Sequence, residues 1–444
     1  SKFKKWTFFE LKINIMNNKR RTFLKQSLTM GAGVFILPRH VLGRGFVAPS
    51  DQINLGLIGT GVQGRGLMKR FSLKDQVRWV AATDVEGDKL NLLEQELIKA
   101  YKKNQPNWDI KGVNKYADYQ ELLNHKGLDA VVIATPDHWH AKNSIDSLAA
   151  GMDVYCEKPL AHTLKEGRMI ADAVKKYDAV FQTGSMQRSS KLFRHAAELV
   201  RNGYIGEIKK VIVYVGDPAI PCDLPSEKAP DALNWSGWLG SAPYRPYHSI
   251  LSPPVEQRHF PRWRFYQEYG GGIIADWGAH MFDIAQWALG MDHTGPVKFI
   301  PPKDKEAKLG LRMFYENGIE MVHDKFEMTK FGVKFIGSKG KLKVRRGLLE
   351  TDPKNIADVV IGEKDIKLYK SDDHYIDWIN SIKTRKQPIC DVEIGHRTSS
   401  ICQLSNIAYD LNRPLEWNPV KEKFIQDREA NKLRSKKYRK PFKI

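Results

Sequence analysis

Cysteine is scarce in this sequence, which contains only four cysteines among its 444 residues. Cys156, Cys222, Cys390 and Cys402 form no CxxC pair and show no metal-type spacing, so we expect buried thiols rather than a disulfide framework. Long apolar runs are missing as well: no stretch of about 18 apolar residues occurs, which excludes an ordinary membrane-spanning helix. A chain of this length is expected to form two domains with terminal tails.

Acidic residues are in deficit, but the deficit is confined to the two ends of the chain. The formal net charge is +20; residues 1–50 hold ten basic residues against one acidic, and residues 421–444 hold ten against three. The body between these segments keeps a charge of only about +4. Because a nucleic-acid interface needs basic residues clustered on the folded body, the sequence predicts no nucleic-acid partner.

A dinucleotide-binding pattern begins at the apolar run Ile53–Ile58, which is typical of a buried strand. The turn that follows reads Gly59-x-Gly61-x-x-Gly64 and leads into a helical pattern. In such a turn the first glycine permits the sharp bend, the second lets the backbone approach a pyrophosphate, and the third lets the helix pack on the strand. The helix N-terminus then faces the phosphates.

A carboxylate stands where this pattern needs one. The second predicted strand, Val77–Thr83, ends at Asp84, twenty residues after Gly64. A carboxylate there binds the adenine ribose hydroxyls and repels a 2′-phosphate, so the sequence predicts NAD, with NADP as the less favoured cofactor.

Strands and helices continue to alternate up to about residue 185. The loop TPDHWH and the triplet EKP are both predicted at the carboxyl edge of a doubly wound parallel sheet, where ligands bind. His138 and His140 are interpreted as lining the cofactor pocket, with a metal pair as the alternative. The predicted elements are a helix over Tyr116–Leu123, a strand over Asp129–Ala134, a helix over Ala141–Ala150 and a strand over Asp153–Cys156.

A polar stripe crosses an apolar helix predicted over Ala275–Leu289. Asp276, His280 and Asp283 stand at positions i, i+4 and i+7 of one face, and buried polar groups must be paired or functional. His280 suits a general base near neutral pH; a satisfied core histidine and a metal site with Asp276 or Asp283 are the alternatives. Lys158, which follows a strand, can supply a cation near a reacting oxygen, unless it is an ordinary surface lysine.

Together these motifs resemble those of the Gfo/Idh/MocA family of sugar oxidoreductases, in particular its exported bacterial branch. The likeness covers about Ile53–Trp417 and is carried by the glycine turn, the TP...H loop, EKP, GSMQR at 184–188 and ADWGAHMFD at 275–283. It implies an α/β chain with an N-terminal Rossmann domain, expected over residues 51–185. An α/β domain on a large, mostly antiparallel open sheet, expected over 186–420, follows. That sheet often mediates oligomer contacts in the family, so we expect a homodimer or homotetramer.

The resemblance also implies site residues. Matched to the family's motifs, Lys158, Asp276 and His280 form the expected catalytic set, and no metal is expected. The expected cofactor contacts are Gly59, Gly61, Val62, Gln63, Gly64, Asp84, Thr135, Pro136, His140, Glu157, Lys158 and Gln187.

A stretch rich in aromatic residues and arginine lies between Trp235 and Tyr269 and is broken into loops by proline and glycine. Aromatic rings stack on the C–H faces of sugars, so this stretch is either a sugar-binding insert or the aromatic mini-core of an irregular loop. Its arginines raise an acidic sugar as one candidate substrate. The expected substrate contacts are Arg188, Tyr247, His248, Arg264 and Asp283.

The rest of the chain reads as strands, helices and a charged tail over residues 421–444 that is expected to wrap the surface. Strands are predicted over Lys209–Val215, Lys308–Tyr315, Gly318–Phe326 and Val333–Val344, and helices around Tyr375–Thr384 and Ser399–Leu411.

Residues 1–50 are interpreted as an export leader. Arg20 and Arg21 precede a weakly apolar run over Leu28–Leu37, as in the twin-arginine signal; a basic amphipathic helix is the alternative. The protein is therefore expected outside the cytoplasm, without stable membrane insertion. Because no substantial soluble nicotinamide pool exists there, the NAD is expected to be tightly bound.

Three functions fit these expectations. The first is a dehydrogenase that transfers hydride from a hydroxyl carbon of a sugar, inositol or glycoside to bound NAD. The second is an NAD-dependent glycosidase that works by transient oxidation, elimination and re-reduction, with Tyr247, His248 or His259 as candidate second bases. The third is a non-catalytic sugar- or NAD-binding protein, against which the presence of Lys158, Asp276 and His280 argues.

Overall fold

The structure is a computed structural model that describes residues 52–104, 112–255, 260–327 and 330–444. The leader predicted over residues 1–50 lies outside the described residues, and so does His259.

The first unit is a parallel sheet of six strands. Its strands are β1 (Ile53–Ile58), β2 (Val77–Thr83), β3 (Asn114–Tyr116), β4 (Ala130–Ile133), β5 (Asp153–Cys156) and β6 (Phe181–Thr183). They lie in the order β3-β2-β1-β4-β5-β6, so the chain starts at the centre and winds outward in both directions. This order places the carboxyl ends of β1 and β4 side by side, where a doubly wound sheet binds its ligands.

Helices cover both faces of this sheet, which is why its central strands β1, β4 and β5 are mainly apolar and buried rather than alternating. The helices of the described residues are α1 (Val62–Phe71), α2 (Gly87–Asn104), α3 (Tyr119–Leu123), α4 (Asp137–Ala149), α5 (Leu164–Tyr177), α6 (Lys191–Arg201), α7 (Trp235–Leu239), α8 (Gly272–Asp276), α9 (Gly278–Leu289), α10 (His374–Thr384), α11 (Val392–Leu411) and α12 (Arg428–Lys432). One face packs on α1, α2 and α10, and the other on α3, α4 and α5.

Helix α10 is distant in sequence from the sheet on which it packs. The rings of Phe71 and Trp378 meet edge to face with centroids 5.6 Å apart, and Lys74 forms an ion pair with Asp373 at 2.6 Å. A segment that the sequence analysis places in the second domain therefore completes the core of the first.

Two predictions for the first unit are wrong. Tyr116 ends strand β3, and the helix predicted to begin there begins at Tyr119 behind an Asp118 N-cap. The segment read as a loop, DHWH, is the first turn of α4, whose N-cap is Pro136. These polar and aromatic residues show no apolar periodicity, yet they are buried against the rest of the fold.

The second unit is an open sheet of nine strands. The strands are β7 (Ile208–Tyr214), β8 (Lys298–Ile300), β9 (Leu311–Phe314), β10 (Glu320–His323), β11 (Gly332–Gly337), β12 (Lys341–Arg345), β13 (Leu348–Asp352), β14 (Leu415–Asn418) and β15 (Lys423–Phe424). Their order is β13-β12-β11-β7-β10-β9-β8-β14-β15, and neighbours are antiparallel except β7 and β10. The predicted fold class, a Rossmann domain followed by an α/β domain on a mostly antiparallel sheet, is confirmed.

The single strand predicted over Val333–Val344 is wrong, because the chain turns at Ser338–Gly340 and forms the β11–β12 hairpin. The core of this unit lies between one face of the sheet and helices α6, α9 and α11. All four cysteines are free thiols, and Cys156, Cys390 and Cys402 are buried, as expected.

The helix predicted over Ala275–Leu289 is broken at Trp277, which separates α8 from α9. In a continuous helix the N–H of His280 would donate to the carbonyl of Asp276. Here it donates to the carbonyl of Trp277 at 3.0 Å, so the Asp276 carbonyl is released for another donor. The break therefore changes what Asp276 can bind.

The C-terminal residues lie on the first unit. Lys436 contacts Glu166 and His162, at 3.1 and 2.9 Å. Arg439 donates to backbone carbonyls around α7, and the ring of Phe442 meets that of Trp139 at 5.5 Å.

Candidate active site

The glycine turn after β1 has room for a ligand's phosphates. Gly59 adopts φ +91°, and a Cβ at Gly64 would lie 2.0 Å from the Gly59 carbonyl oxygen, so α1 can approach β1 only because residue 64 is glycine. No described atom lies within 4 Å of a Cβ at Gly61. Gly61 is also the N-cap of α1 and makes no side-chain cap bond, which leaves the first amides of the helix available to an anion.

Asp84 is held beside this turn. Its Oδ2 accepts hydrogen bonds from the backbone N–H of Thr60 at 2.6 Å and from the Thr60 hydroxyl at 3.0 Å. Its Oδ1 accepts from the N–H of Glu86 at 3.1 Å. The carboxylate therefore stands at the end of β2, where the sequence predicts the ribose hydroxyls.

A cavity of about 730 Å³ opens over the glycine turn. Seven predicted cofactor contacts line it: Gly59, Gly61, Val62, Gln63, Asp84, Thr135 and Pro136. Its other walls come from the aromatic insert, which contributes Trp238, Trp263 and Arg264, and from the C-terminal Pro441 and Phe442. Lys89 of α2 reaches across to the insert and donates to the Ser252 hydroxyl at 2.9 Å. These residues fit a dinucleotide, because glycine amides, a ribose-binding carboxylate and enclosing apolar walls converge on one space.

Five predicted cofactor contacts do not line this cavity: Gly64, His140, Glu157, Lys158 and Gln187. His140 is 1% exposed inside α4, with its ring nitrogens 2.9 Å from the Thr135 carbonyl and 2.8 Å from that of Pro159; burial lowers its pKa to about 4. The interpretation of His138 and His140 as pocket-lining residues is therefore wrong, since both are buried structural side chains. Glu157 accepts from Gln63 at 2.8 Å, and burial raises its pKa.

Lys158 and Asp276, two members of the predicted catalytic set, form a close ion pair. The Lys158 Nζ lies 2.6 Å from Oδ1 of Asp276 and also donates to its carbonyl oxygen at 2.9 Å, the group released by the helix break. Arg264 stands 3.6 Å from the same Oδ1 and also lines the cavity, so it connects the pair to the dinucleotide space. Burial alone would raise the pKa of Asp276, but Lys158 and Arg264 lower it to about 2.

His280 lies close to this pair but is not hydrogen-bonded to Asp276. It is 4% exposed, and its buried Nδ1 has no hydrogen-bond partner among the described residues. Burial, followed by the charges of Lys158 and Arg346, lowers its pKa well below the ordinary range. The imidazole is therefore neutral at physiological pH and free to accept a proton.

Arg188 and Asp283, predicted as substrate contacts, bind each other instead. The Arg188 guanidinium is 1% exposed and donates to Asp283 at 2.8 Å and to Asp292 at 2.7 Å. Asp283 is fully buried and also accepts from the Thr398 hydroxyl at 3.1 Å. This network joins α9 to the turn after β6, and it leaves neither residue available to a substrate.

The aromatic insert is mainly a mini-core. The rings of Trp235 and Trp238 stack with centroids 4.7 Å apart, and Tyr247 meets Trp235 edge to face. Tyr247 donates to a backbone carbonyl at 2.8 Å, and His248 lies 3.2 Å from Glu227; neither lines the cavity, contrary to their predicted contact with substrate. Trp263 and Arg264 do line it. The mini-core interpretation therefore holds for the packed rings, and the sugar-binding interpretation stays a prediction.

Sequence reasoning missed several site residues. Asp137 is 3% exposed in the first turn of α4, and burial together with the charge of Asp276 raises its pKa well above the ordinary range. Arg346 follows β12 and acts on His280 by its charge, although 66 residues separate them. Only the position of Asp137 beside the predicted TP...H motif could have signalled a site residue; nothing local marks Arg346 or Phe442.

In the described part of the chain, no three histidine, cysteine or carboxylate side chains are grouped so that they could hold a metal ion. Over the same residues, no helix combines the length and apolar character needed to cross a membrane.

Comparison with known proteins identifies the family. Residues 53–185 match the model of the Gfo/Idh/MocA oxidoreductase family's NAD-binding Rossmann fold, and residues 211–444 match that of its C-terminal α/β domain. The chain belongs to the Gfo/Idh/MocA oxidoreductase family. The resemblance of its motifs to that family is thereby confirmed.

Individual relatives are distant. A myo-inositol 2-dehydrogenase from Thermotoga maritima is 25% identical over 239 residues, 54% of this chain and 55% of the relative. A glycosyl hydrolase family 109 protein from a Shewanella species is 30% identical over 208 residues, 43% of this chain and 44% of the relative. The chain thus spans about half the length of these two curated relatives.

Among solved structures, the WlbA dehydrogenase from Bordetella pertussis, in complex with NADH and UDP-GlcNAcA, superposes with a TM-score of 0.56 at 17% identity. The match covers 83% of this chain and 99% of that one, and it supports the fold.

Proposed function

We propose that this Gfo/Idh/MocA protein is an NAD-dependent oxidoreductase that oxidises a hydroxyl-bearing carbon of a sugar, inositol or glycoside. The observation that carries the proposal is the Lys158–Asp276 pair with neutral His280 beside it, joined through Arg264 to the dinucleotide cavity. The inositol dehydrogenase relative supports the substrate class.

The chain's own residues divide the work as follows. When bound, NAD supplies the acceptor for the hydride of the reacting carbon. His280 accepts the hydroxyl proton, because its lowered pKa keeps the ring unprotonated. Lys158 stabilises the negative charge that develops on the substrate oxygen, and Asp276 holds the Lys158 ammonium in place through two hydrogen bonds.

A redox-neutral glycosidase is the second candidate. Oxidation of one ring carbon acidifies the neighbouring C–H; loss of that proton expels the aglycone, water adds, and the hydride returns, so the net reaction is hydrolysis. The enclosure of the cavity by the insert and the C-terminus supports it, because a retained cofactor suits a cycle that regenerates NAD. The glycosyl hydrolase relative, at 30% identity, supports it too. Tyr247 and His248 are buried and already paired, with the Ser252 carbonyl and with Glu227, so neither is retained as its second base.

The cofactor is proposed to be NAD rather than NADP. Three cations besides Arg264 line the cavity, but Arg65 lies 3.4 Å from Glu96, and Lys89 and Lys142 form ion pairs with Glu86 and Asp146. None of the three is left over for a 2′-phosphate, and Asp84 would repel one. We expect Asp84→Ser to lower the affinity for NAD and narrow its advantage over NADP, measured by equilibrium binding to the cofactor-free protein.

Tight cofactor binding, export by the twin-arginine route and assembly as a homo-oligomer remain part of the proposal. The enclosed cavity supports tight cofactor binding, and the open nine-stranded sheet supports assembly as a homo-oligomer. Arg20 and Arg21 of the predicted leader support export.

The decisive experiment follows the nicotinamide absorbance of the NAD-loaded protein during addition of sugars, inositols and glycosides. Growth of the reduced band with one of them supports an oxidoreductase, and Lys158→Met should abolish it while NAD stays bound. Lys74→Met is the matched control, because Lys74 forms a comparable lysine–aspartate pair with Asp373 at 2.6 Å and does not line the cavity. Failure of the protein to bind NAD would contradict the proposal.

A second assay separates the two candidates. Aryl glycosides are added to NAD-loaded protein with no free NAD present. Release of many equivalents of aglycone supports the glycosidase, whereas release of at most one equivalent, with reduced nicotinamide accumulating, supports the dehydrogenase.

A further inference from the structure

The catalytic cluster holds more positive than negative charge. Lys158 and Arg264 share the carboxylate of Asp276, at 2.6 and 3.6 Å, and Arg346 stands close enough for Asp276 to act on its pKa. Asp137 lies nearby, but burial favours its neutral form. Three cations thus face one firmly ionised carboxylate.

The other charges around the cluster do not remove this excess. Glu157 is buried, accepts a hydrogen bond from Gln63 at 2.8 Å, and has its pKa raised by burial. The charge of Arg188 is already offset by Asp283 and Asp292. Neither of these residues therefore compensates the charge of Arg346.

Arg346 is held in position without being neutralised. Its Nε donates to Oε1 of Gln187 at 2.9 Å, and its guanidinium lies 4.7 Å from the ring centroid of Trp277. The Trp277 ring in turn lies 5.6 Å from that of His280, so one ring separates Arg346 from the proposed base. Over the described residues, no carboxylate approaches Arg346 within 4 Å, whereas Arg188 and Arg264 each have at least one.

A guanidinium in this state is suited to an oxyanion. Stacking on Trp277 and the bond to Gln187 fix its plane and use one of its five N–H groups, which leaves the terminal nitrogens to form paired, charge-assisted bonds. Arg346 is exposed on its outer side, so a ligand can reach it.

We propose that Arg346 binds an anionic group of the substrate, and that the substrate is a sugar carrying a carboxylate or a phosphate. This inference rests on the proposed function and narrows its substrate class. The anionic group would offset the excess positive charge, and Arg346 would fix which hydroxyl of the sugar faces His280. Arg346 is thus a specificity-determining residue, distinct from the set that performs the chemistry.

The test uses NAD-loaded protein and three matched probes: glucose, glucuronate and glucose 6-phosphate. Binding is measured by calorimetry and oxidation by the reduced nicotinamide band, for the wild type, Arg346→Gln and Arg346→Lys. Lys341→Gln is the control, since it removes one exposed charge from the other end of β12. We expect an anionic probe to bind more tightly than glucose, and Arg346→Gln to weaken that binding about tenfold or more. Arg346→Lys should restore part of it, and Lys341→Gln should leave it unchanged.

Each outcome decides one of the two proposals. Preference for glucuronate identifies a carboxylate and preference for glucose 6-phosphate a phosphate, and either supports the inference. If glucose is bound and oxidised as well as both anions, or if Arg346→Gln weakens all three probes equally, the inference is overturned while the proposed function stands. If an anion binds through Arg346 but no probe ever reduces the NAD, the binding site is supported and the oxidoreductase proposal is contradicted for these sugars.

Discussion

Replacement of Lys158 by Met tests the central pair of the site without any knowledge of the substrate. The pKa of Asp276 is about 2, against about 3.9 for an ordinary aspartate, a depression worth about 2.6 kcal/mol at neutral pH. The two side chains are only 16% and 17% exposed, so solvent screens them little. Because Arg264 remains 3.6 Å from the carboxylate, we expect a coupling energy between Lys158 and Asp276 of about 2 kcal/mol.

The sign of the pH dependence follows from the lowered pKa. The stabilisation is fully present above the ordinary aspartate pKa and is lost as the pH falls from about 4 towards 2. In Lys158→Met, burial is opposed by one fewer cation, so the pKa of Asp276 rises, the stabilisation becomes smaller, and its loss is complete at a higher pH.

The assay is a double-mutant cycle of Lys158→Met and Asp276→Asn, with unfolding in urea followed by tryptophan fluorescence at pH 7. Lys142→Met with Asp146→Asn is the control cycle; this helical pair at i and i+4 should couple by only about 0.3–0.5 kcal/mol. A coupling energy for Lys158 and Asp276 no larger than that of the control pair would refute the reasoning.

Three further predictions follow from single contacts. Gly64→Ala should destabilise the protein and weaken NAD binding, because the new Cβ would lie 2.0 Å from the Gly59 carbonyl oxygen. Gly66→Ala in the same helix is the control: its Cβ meets no described atom within 4 Å, so it should be neutral or stabilising by up to about 1 kcal/mol. Urea unfolding and NAD titration compare the two variants. Phe442→Ala should speed NAD release, because Phe442 lines the cavity, whereas Leu433→Ala, an exposed change earlier in the tail, should not. A stopped-flow chase with excess unlabelled NAD measures both release rates. Equal rates would contradict the enclosure of the cofactor by the C-terminus. Arg346→Gln should raise the pKa of His280 and move the acid limb of the kcat/KM profile to higher pH, and an unmoved limb would show that Arg346 does not act on the base.

The elements that the sequence predicted well are those in which local pattern and tertiary environment agree. β1, β2 and β5 have the predicted bounds because each is a mainly apolar run in a sheet covered on both faces. The glycine turn and Asp84 were also predictable, since their roles depend on backbone conformation and chain position close in sequence.

The errors arose where distant contacts decide the structure. The apolar pattern runs unbroken across Trp277, and only Lys158, 118 residues away, reveals why the Asp276 carbonyl leaves the helix. Arg188 and Asp283 are 95 residues apart, so their mutual pairing leaves no local trace in the sequence, and the sequence predicts substrate contacts for both instead. Arg346 was missed for the same reason, because its position depends on the β12 hairpin and on Trp277.

The low pKa of His280 makes it a weaker base, and a weaker base removes a proton less readily. The same cations that lower it, Lys158 and Arg346, also favour the substrate alkoxide, since both act on negative charge formed beside the ring. The pKa of the hydroxyl and the pKa of the imidazole therefore fall together, and the proton transfer between them stays nearly balanced. The cations widen the pH range over which the base can work. His280 remains unprotonated well below its ordinary pKa, so the oxidation is expected to persist into mildly acidic solution. An enzyme that depended on an unperturbed histidine would lose activity in mildly acidic solution. The position of the acid limb of the kcat/KM profile is therefore the most direct measure of how strongly Lys158 and Arg346 act on His280.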